Sequence, residues 1–255
     1  MMNVVLSFDD GRIDNYKNAF PVLKKYGLTA SIHITTGFID GTFVTDEFGK
    51  NMEPLTIQSL EDMSRIGIDI SSHGDKHIME KKDFLISREK IKSWIGKSVV
   101  GFSVPNSSAS KENVNSFVDN VKNSVSYVRI GRDSRCKSFI YKFFYLIYKI
   151  AHFQLCFNLF NKININTVFD KYYIKSVVIK RHTKSRNVIN FIKKYSSIDG
   201  ALVLMLHTVT DKPQNPWEWS LAQFENLCSY LKNMSDSKQI ILTNLQKLVE
   251  EKDEQ

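Results

Sequence analysis

Short runs of apolar and β-branched residues recur along the chain, and most are followed by a segment whose apolar residues have helical spacing. Eight of these runs predict strands, at residues 3–8, 28–34, 67–71, 99–103, 125–130, 173–180, 201–206 and 239–242. Strands that alternate with helices favour a mainly parallel sheet, because parallel strands are joined by helical crossovers. The pattern therefore predicts an α/β fold with helices outside the sheet.

Helix starts and ends are marked by residues that satisfy free backbone groups. Gly27 is expected to end the first helix, and Thr56 and Ser110 are expected to cap the N-termini of two later ones. Residues 220–223 and 243–246 have the spacing of a capping box, in which two side chains each satisfy a backbone donor.

One segment, residues 139–160, interrupts this alternation because it is almost wholly apolar and aromatic. Lys142 and Lys149 make it a poor membrane-spanning helix, which needs about 20 apolar residues with few charges. Two interpretations stay open: a helix packed on the body of the fold, which is the simpler one, and a helix lying on a membrane surface. We expect a single domain over residues 1–255 with an insertion near 132–166.

Composition narrows the class of protein. The chain has 255 residues, 42% of them hydrophobic and 24% charged, which is typical of a globular protein and excludes a disordered or collagen-like chain. The cysteines at positions 136, 156 and 228 form no C-x-x-C pair, so we expect neither a disulfide framework nor a zinc knuckle. Residues 1–8 resemble a first strand and not a signal peptide, which favours a reducing, cytoplasmic location.

Candidate chemistry follows three of the predicted strands. Asp9 and Asp10 come directly after the first strand and before a glycine, although such a pair is by itself more often a solvated turn. His73 and His77 follow the third strand, and a helix beginning there would aim both imidazoles at one point. His207 closes the strand at 201–206, where a lone histidine is more often structural.

Taken together, these residues indicate an active site, because barrel enzymes have their active sites where the parallel strands end. Two imidazoles and one carboxylate can bind a divalent metal and leave positions open for water and substrate. Of the pair Asp9 and Asp10, one can ligate the metal while the other takes a proton from the bound water. His207 could then protonate a leaving amine, so the pattern predicts a site for amide hydrolysis.

Five short motifs resemble those of the polysaccharide deacetylases, which are also known as the NodB-homology family or carbohydrate esterase family 4. Ser-Phe-Asp-Asp-Gly is similar to their T/S-F-D-D-G motif, His-Gly-Asp-Lys-His to H-S/T-x-x-H, and Leu-Met-Leu-His to L-x-L-H. Gly-Phe-Ser-Val-Pro-Asn resembles their F-x-x-P loop, and Tyr-Val-Arg resembles the Y-A-R of one branch. The motifs lie in the family's order along the chain, at residues 7–11, 73–77, 101–106, 127–129 and 204–207.

The resemblance implies a distorted (β/α)7 barrel that holds a divalent metal and removes acetyl groups from an N-acetylated sugar. It implies the following roles: general base, Asp9; general acid, His207; metal ligands, Asp10, His73 and His77; oxyanion or substrate contacts, Pro105, Asn106, Arg129 and Trp217. Zinc is expected from the histidines, and cobalt, nickel or manganese could occupy the same ligands.

The chain departs from the family pattern at two places. Ser103 stands where many members have an arginine that orients the base, although branches with F-A-Y-P also lack it. The usual aspartate and tryptophan loop beside the acid histidine is missing, so Trp217 or Trp219 is expected to supply the aromatic wall. A simple surface charge is an equal alternative for Arg129, and a packed core residue is the expectation for His33.

The resulting function is metal-dependent removal of N-acetyl groups from an N-acetylated sugar or a cell-envelope polysaccharide precursor, with metal-bound water as the nucleophile. The alternatives are a glycan-binding relative with impaired catalysis, motivated by Ser103 and the missing loop, and an amidase acting on a non-sugar substrate.

Charge suggests what else this chain contacts. The chain carries a net charge of +8, but residues 129–194 hold 15 basic and two acidic residues, which leaves −5 for the rest. No nucleic-acid-binding signature accompanies this basic segment, so nucleic acid is not expected as a partner. We expect it to meet the phosphates of a lipid-linked or nucleotide-linked sugar, or an anionic membrane surface on the inner face, where each charge contributes about 1 kcal/mol.

Overall fold

A parallel sheet forms from all eight predicted strands in the computed structural model, which describes residues 1–46, 48, 52–107, 109–133 and 138–254. Cys136 lies outside the described residues, and Cys156 and Cys228 are buried free thiols. The strands are β1 (Met2–Phe8), β2 (Ser31–Ile34), β3 (Asp69–Ser72), β4 (Val100–Ser103), β5 (Val125–Arg129), β6 (Ser176–Val178), β7 (Gly200–Leu206) and β10 (Ile241–Thr243). A separate two-stranded sheet consists of β8 (Thr208–Thr210) and β9 (Glu218–Ser220).

The sheet order is β5-β4-β3-β2-β1-β7-β6, and β10 also pairs with β1. The edge strand β5 then meets the segment that leads into β6, because Ile130 N donates to Ile174 O over 2.8 Å and Ile174 N donates to Val128 O over 3.0 Å. The sheet therefore curls until its two edges meet, and the expected distorted (β/α)7 barrel is confirmed.

Helices cover the outside of the sheet. In chain order they are α1 (Phe20–Tyr26), α2 (Thr36–Ile39), α3 (Ile57–Arg65), α4 (Lys81–Ile95), α5 (Lys111–Val121), α6 (Phe139–Ala151), α7 (Gln154–Asn161), α8 (Ser185–Tyr195), α9 (Leu221–Asp236) and α10 (Leu245–Asp253). A π-helical turn (Asn15–Ala19) precedes α1, and short 3-10 turns span Pro105–Ser107 and Lys162–Asn164.

The predicted caps are confirmed at three positions and wrong at two. Gly27 ends α1 in the left-handed region, and the hydroxyls of Thr56 and Ser110 cap α3 and α5. Ser220 makes no side-chain cap, and Gln223 accepts a hydrogen bond from the backbone N–H of Ser185 in α8. At 243–246 the cap is Asn244, one residue later than the spacing predicts, and its side chain accepts from the Lys247 N–H.

Alternate residues of the strands face the helices and the barrel interior. In β1, Met2, Val4, Leu6 and Phe8 join the large apolar core under the helices, while Val5 packs inside the barrel. The interior also holds buried polar side chains, including Ser7, His33, Asp69, Ser103 and Arg129. Buried polar groups need partners, and these residues meet that need by forming one network.

The predicted insertion is two helices, α6 and α7, between β5 and β6. His152 ends α6 in the left-handed conformation with φ 53°, so the segment 139–160 is not one continuous helix. Among the described residues, no helix combines the length and the apolar character needed to cross a membrane.

Candidate active site

A cavity of about 390 Å³ opens at the carboxyl ends of β1, β3 and β7, where the three sequence motifs meet. Its size lies within the usual range of small-molecule sites, about 300–1,000 Å³. It is lined by Asp10, Arg12, Phe48, His73, His77, Asn106, His207 and Trp217.

Asp10, His73 and His77 turn their donor atoms to one point. Asp10 Oδ1 lies 3.5 Å from His73 Nε2 and 3.9 Å from His77 Nε2, and the two nitrogens are 3.2 Å apart. All three side chains are buried. One carboxylate oxygen and two imidazole nitrogens at this spacing are the donor set that a divalent metal takes in catalytic sites.

Neighbouring groups fix the direction of these donors. His73 Nδ1 lies 2.9 Å from the carbonyl oxygen of Ser103, and because a carbonyl can only accept, Nδ1 carries the proton. The lone pair of His73 is therefore on Nε2, which faces the other two donors. This tautomer shows that the residues fit a bound cation.

Arg12 holds the second oxygen of Asp10 in a bidentate ion pair. Its Nη2 and Nε donate to Asp10 Oδ2 over 2.6 and 2.9 Å, and its Nη1 donates to Thr208 Oγ1 over 2.9 Å. Burial alone would raise the pKa of Asp10, but the neighbouring His73 imidazole and the charge of Arg12 hold that pKa well below its ordinary value. Asp10 is thus kept ionised, with Oδ1 free to bind.

The loop from His73 to His77 is not the start of a helix, as the spacing suggested, since α4 begins only at Lys81. Asp83 of α4 shapes it, because its carboxylate accepts the backbone N–H groups of Asp75 and Lys76 over 2.8 and 2.9 Å. Gly74 has φ +85°, and a Cβ there would collide with Asp83. The convergence of the histidines therefore comes from a turn held by a helix carboxylate.

Asp75, a candidate partner for the histidines, has another role. It is 4% exposed and accepts from Thr36 Oγ1 over 2.8 Å and from Lys90 Nζ over 2.7 Å. It ties the loop to α2 and α4, so it is neither a solvated acid nor a partner of an imidazole.

Asp9 lies beside the metal-type donor set and is 1% exposed. Its Oδ1 forms an ion pair with Arg129 Nη2, and Ser103 Oγ donates to the same oxygen over 3.3 Å. Burial alone would raise the pKa of Asp9, but the charge of Arg129 and the nearby imidazoles lower it to about 2. Asp9 is consequently an ionised carboxylate with one oxygen tied down by a buried cation.

Arg129 needs a correction. The sequence places it among substrate contacts or on the surface, whereas the structure buries it completely beneath Asp9, away from the cavity lining. Arg129 and Ser103 are direct partners in the pairing of β5 with β4, and the Arg129 guanidinium also contacts Ser103 Oγ. The cation that the F-x-x-P loop lacks thus arrives from the adjacent position of the neighbouring strand.

His33 is a packed interior residue, as the sequence predicts, and it extends the network of Asp9, Ser103 and Arg129 further into the barrel. It is fully buried, with Nδ1 3.6 Å from Asp9 Oδ1 and Nε2 3.0 Å from the Tyr127 hydroxyl, which donates to Asp69 over 2.7 Å. Burial and the charge of Arg129 lower the pKa of His33 to about 3, so this imidazole is neutral.

His207 reaches the cavity from the end of β7. Its ring centroid is 4.6 Å from that of Trp217, so Trp217 supplies the aromatic wall, whereas Trp219 is buried and donates to Thr183 O. Burial lowers the pKa of His207 to about 4 despite the opposing charges of Asp10 and Asp9. His207 Nδ1 has no hydrogen-bond partner among the described residues, which matches the missing aspartate loop.

Asn106 lies on the cavity lining with φ 58°, directly after the buried Pro105. This left-handed conformation turns the backbone sharply at the cavity wall, where an oxyanion contact is expected. Two lining residues, Arg12 and Phe48, were not predicted from the sequence. Arg12 directly follows the Asp-Asp-Gly motif, and this position in the sequence could have indicated a site residue. Phe48 packs against His77 with 5.0 Å between ring centroids, and no sequence pattern indicates it.

Comparison with known proteins agrees with this site. Residues 2–120 match the family model described as Polysaccharide deacetylase. The Bacillus subtilis (strain 168) protein named "Putative polysaccharide deacetylase YxkH" is 37% identical over 75 residues, which are 29% of this chain and only 23% of that protein.

Two crystal structures share the fold over nearly the whole chain. The Xyl-CE4 domain of a multidomain xylanase from the hindgut metagenome of Trinervitermes trinervoides has a TM-score of 0.54 and 15% identity, covering 98% of this chain and 91% of that domain. A family 4 acetyl xylan esterase from Clostridium thermocellum, in complex with a cobalt ion, has a TM-score of 0.51 and 15% identity, covering 96% and 89%.

The structure thus combines a distorted parallel barrel with a buried Asp-His-His set, of the kind that can hold a divalent metal, at its carboxyl end. The chain is similar to the polysaccharide deacetylase family, whose model matches its residues 2–120.

Proposed function

We propose that this protein is a metal-dependent hydrolase that removes N-acetyl groups from an N-acetylated sugar of a cell-envelope polysaccharide precursor. The observation that carries the proposal is the arrangement of three side chains at one cavity, with a buried carboxylate next to them in the chain. Asp10, His73 and His77 present donor atoms within 4.8 Å of one another, and the ionised Asp9 lies beside them.

Each residue has one task in this proposal. A divalent ion held by Asp10, His73 and His77 would polarise the acetyl carbonyl and lower the pKa of water, with zinc the favoured ion and cobalt, nickel or manganese alternatives. Asp9 accepts a proton from the attacking water, since its pKa of about 2 keeps it a carboxylate at neutral pH.

Arg129 positions this base, because it pairs with one oxygen of Asp9. The water oxygen then bonds to the acetyl carbon, and the bond from that carbon to nitrogen breaks. His207 gives the nitrogen a proton, and acetate and the free amino sugar leave. With a pKa of about 4, His207 is neutral in the resting site, so the proton that it gives to the nitrogen would be the one that Asp9 has taken from the water.

Cations beside the cavity favour a substrate with a phosphate-linked carrier, either lipid-linked or nucleotide-linked. Lys180 Nζ lies 3.9 Å from the centroid of the Trp217 ring at the cavity wall. Burial and the charges of Arg132 and Lys149 lower the pKa of Lys180 to about 8. A phosphate placed there would relieve the repulsion among these cations.

The test measures acetate release by metal-loaded protein from N-acetylated oligosaccharides and from nucleotide-linked N-acetyl sugars. We expect turnover that Asp9→Asn abolishes without changing the metal content, while Asp10→Asn loses the metal. Lys180→Gln should raise KM for the phosphate-linked substrates and leave KM for neutral oligosaccharides unchanged. No acetate release from any of these substrates by metal-loaded protein would contradict the proposal.

A second candidate function is a glycan-binding relative with impaired catalysis. The unpartnered Nδ1 of His207 favours it, because an imidazole that no acid orients is a weaker proton donor. This candidate predicts that N-acetylated oligosaccharides bind the metal-loaded protein without release of acetate. Stoichiometric metal together with turnover would exclude it.

A further inference from the structure

Helix α6 is amphipathic, but its most apolar side is exposed. Phe139, Phe143, Leu146 and Ile150 follow one another at spacings of four, three and four residues, so they share one side of the helix. Their exposed fractions are 82%, 51%, 54% and 74%. These four side chains are called the α6 face below.

The opposite side of α6 anchors the helix through aromatic side chains that carry polar tips. Tyr148 is 2% exposed and packs on Phe157, with ring centroids 4.9 Å apart. Tyr145 contacts Phe160 at 4.8 Å and His182 at 5.4 Å. Because tyrosines are buried while phenylalanine, leucine and isoleucine are exposed, packing within the chain does not explain the composition of the α6 face.

Helix α7 and the residue before it add to this apolar surface. Leu155 and Leu159 lie four residues apart on α7 and are 63% and 40% exposed, and Phe153, between the two helices, is 60% exposed. Exposed apolar side chains in this number within one segment are typical of contact sites for a membrane or another molecule.

Basic residues border the α6 face, and the segment that carries it contains no acidic residue. Lys142 and Lys149 lie seven residues apart on one flank of the face, and both are exposed. Residues 138–163 contain no aspartate or glutamate. An apolar stripe flanked by lysines is the pattern of helices that lie in the interface of a bilayer with anionic headgroups.

The same charges disfavour a second copy of the chain as the occupant. In a twofold contact, Lys142 and Lys149 of one copy would approach the same patch on the other, where the segment offers no carboxylate to pair with them. An anionic bilayer supplies both the apolar layer and the negative charge.

The α6 face and the cavity share one end of the barrel. Helix α6 follows the carboxyl end of β5, and Tyr145 lies under the Arg132 guanidinium at 5.1 Å. His182, which Tyr145 contacts, is two residues from Lys180, which covers Trp217 at the cavity wall. A surface that binds the α6 face would therefore lie close to the cavity opening.

We propose that the α6 face docks on the surface of an anionic lipid bilayer. Its apolar side chains enter the boundary between headgroups and acyl chains, and Lys142 and Lys149 meet the lipid phosphates. The helix lies in the plane of the membrane and does not cross it. Docked in this way, the protein would hold its cavity beside substrates located at the membrane surface.

The test is co-sedimentation of the full chain with vesicles of phosphatidylcholine alone or mixed with phosphatidylglycerol. We expect binding to the mixed vesicles that weakens as salt is raised, and little binding to phosphatidylcholine alone. Binding is measured without turnover, so a failure here would leave the proposed hydrolase untouched, and a failure of hydrolysis would leave this result untouched.

Two variants and one control locate the contact. Phe143→Gln with Leu146→Gln should weaken binding about tenfold or more, since two inserted side chains are lost. Lys142→Gln with Lys149→Gln should remove most of the salt dependence. The matched control is Ile86→Gln with Lys92→Gln on α4, also an exposed apolar residue and a lysine, and it should bind like the unaltered chain.

Three results would overturn the proposal. The first is no binding to the mixed vesicles, and the second is equal binding by the α6 variants and the control. The third is a dimer in sedimentation experiments that the Phe143→Gln with Leu146→Gln variant converts to a monomer, together with no binding of either form to vesicles. The α6 face would then join two copies of the chain.

Discussion

Replacing Arg129 by serine tests whether this buried cation positions the base. The change removes the charge that pairs with Asp9 Oδ1 and leaves a carboxylate that is 1% exposed. Its pKa, now about 2, should rise at least to the ordinary 3.8, because burial then acts with one compensating charge fewer. At about 1.4 kcal/mol per pKa unit, this is a loss of roughly 2.5 kcal/mol in the stability of the ionised state.

The sign of the pH dependence follows from the direction of the shift. A carboxyl whose pKa is lowered by folding stabilises the folded protein above its unfolded pKa, near 4, and loses that contribution as the pH falls towards 2. Urea unfolding should therefore show Arg129→Ser destabilised by roughly 2.5 kcal/mol at pH 7, within the order of magnitude for a broken buried ion pair, and the gap should shrink below pH 4.

Catalysis gives the sharper readout, because a structural role alone would not move it selectively. We expect kcat to fall about 10- to 100-fold with KM nearly unchanged, since general-base catalysis contributes about 10²- to 10⁴-fold. Ser103 is the direct strand partner of Arg129, so Ser103→Arg combined with Arg129→Ser returns a guanidinium to Asp9 from the other strand. The double variant should recover most of kcat, and an equal loss in both variants would refute the positioning role.

Three further results are expected. Asp10→Asn should lower metal affinity at least tenfold by isothermal titration, and unchanged affinity would contradict its assignment as a ligand. Gly74→Ala should destabilise the fold by about 1–3 kcal/mol in urea unfolding and weaken metal binding, because φ +85° and the Asp83 carboxylate leave no room for a Cβ. Asp14→Asn should raise the thermal midpoint above pH 6 and leave it nearly unchanged below pH 4. Burial raises the pKa of Asp14 to about 6, so its ionisation destabilises the folded protein by up to roughly 3 kcal/mol. The amide oxygen of the asparagine can still accept the hydrogen bond from Val209 N. A thermal midpoint that does not rise above pH 6 would refute this.

The sequence was sufficient for the parts of the site that depend on strand order alone. Asp10, His73 and His207 each follow an apolar run, and the carboxyl ends of parallel strands share one edge, so their meeting required no knowledge of side-chain contacts. The fold class followed from the same alternation of strands and helices.

Contacts between strands distant in sequence were out of reach. Arg129 and Ser103 are 26 residues apart, and their pairing depends on the register of β4 with β5, which includes an irregularity between Val100 and Phe102. A motif search shows that the F-x-x-P loop lacks its arginine. It does not show that Arg129 on the neighbouring strand takes that place. The turn at His73 was missed for a similar reason, since it depends on Asp83 in the following helix.

The orientation of α6 was equally hidden, because apolar and aromatic residues occur on opposite sides of the helix. Hydropathy would favour burial of Phe143 over Tyr145, and only the aromatic partners Phe157, Phe160 and His182 show which side is buried. The expectation of a packed helix holds for the tyrosine side, and the membrane-surface hypothesis concerns the side that packing leaves exposed.

Charge balance connects the base and the ligand set. Asp9 and Asp10 are each paired with a buried arginine, Arg129 and Arg12, so the two carboxylates are neutralised before any cation is bound. A divalent ion at Asp10 and the histidines would make the centre net positive, and this suits a reaction in which negative charge develops on a carbonyl oxygen. The same balance explains why burial fails to protonate either carboxylate, so the site holds its base ready at neutral pH. Removing Arg12 should therefore lower the affinity for the ion, whereas removing Arg129 should lower the rate of proton transfer.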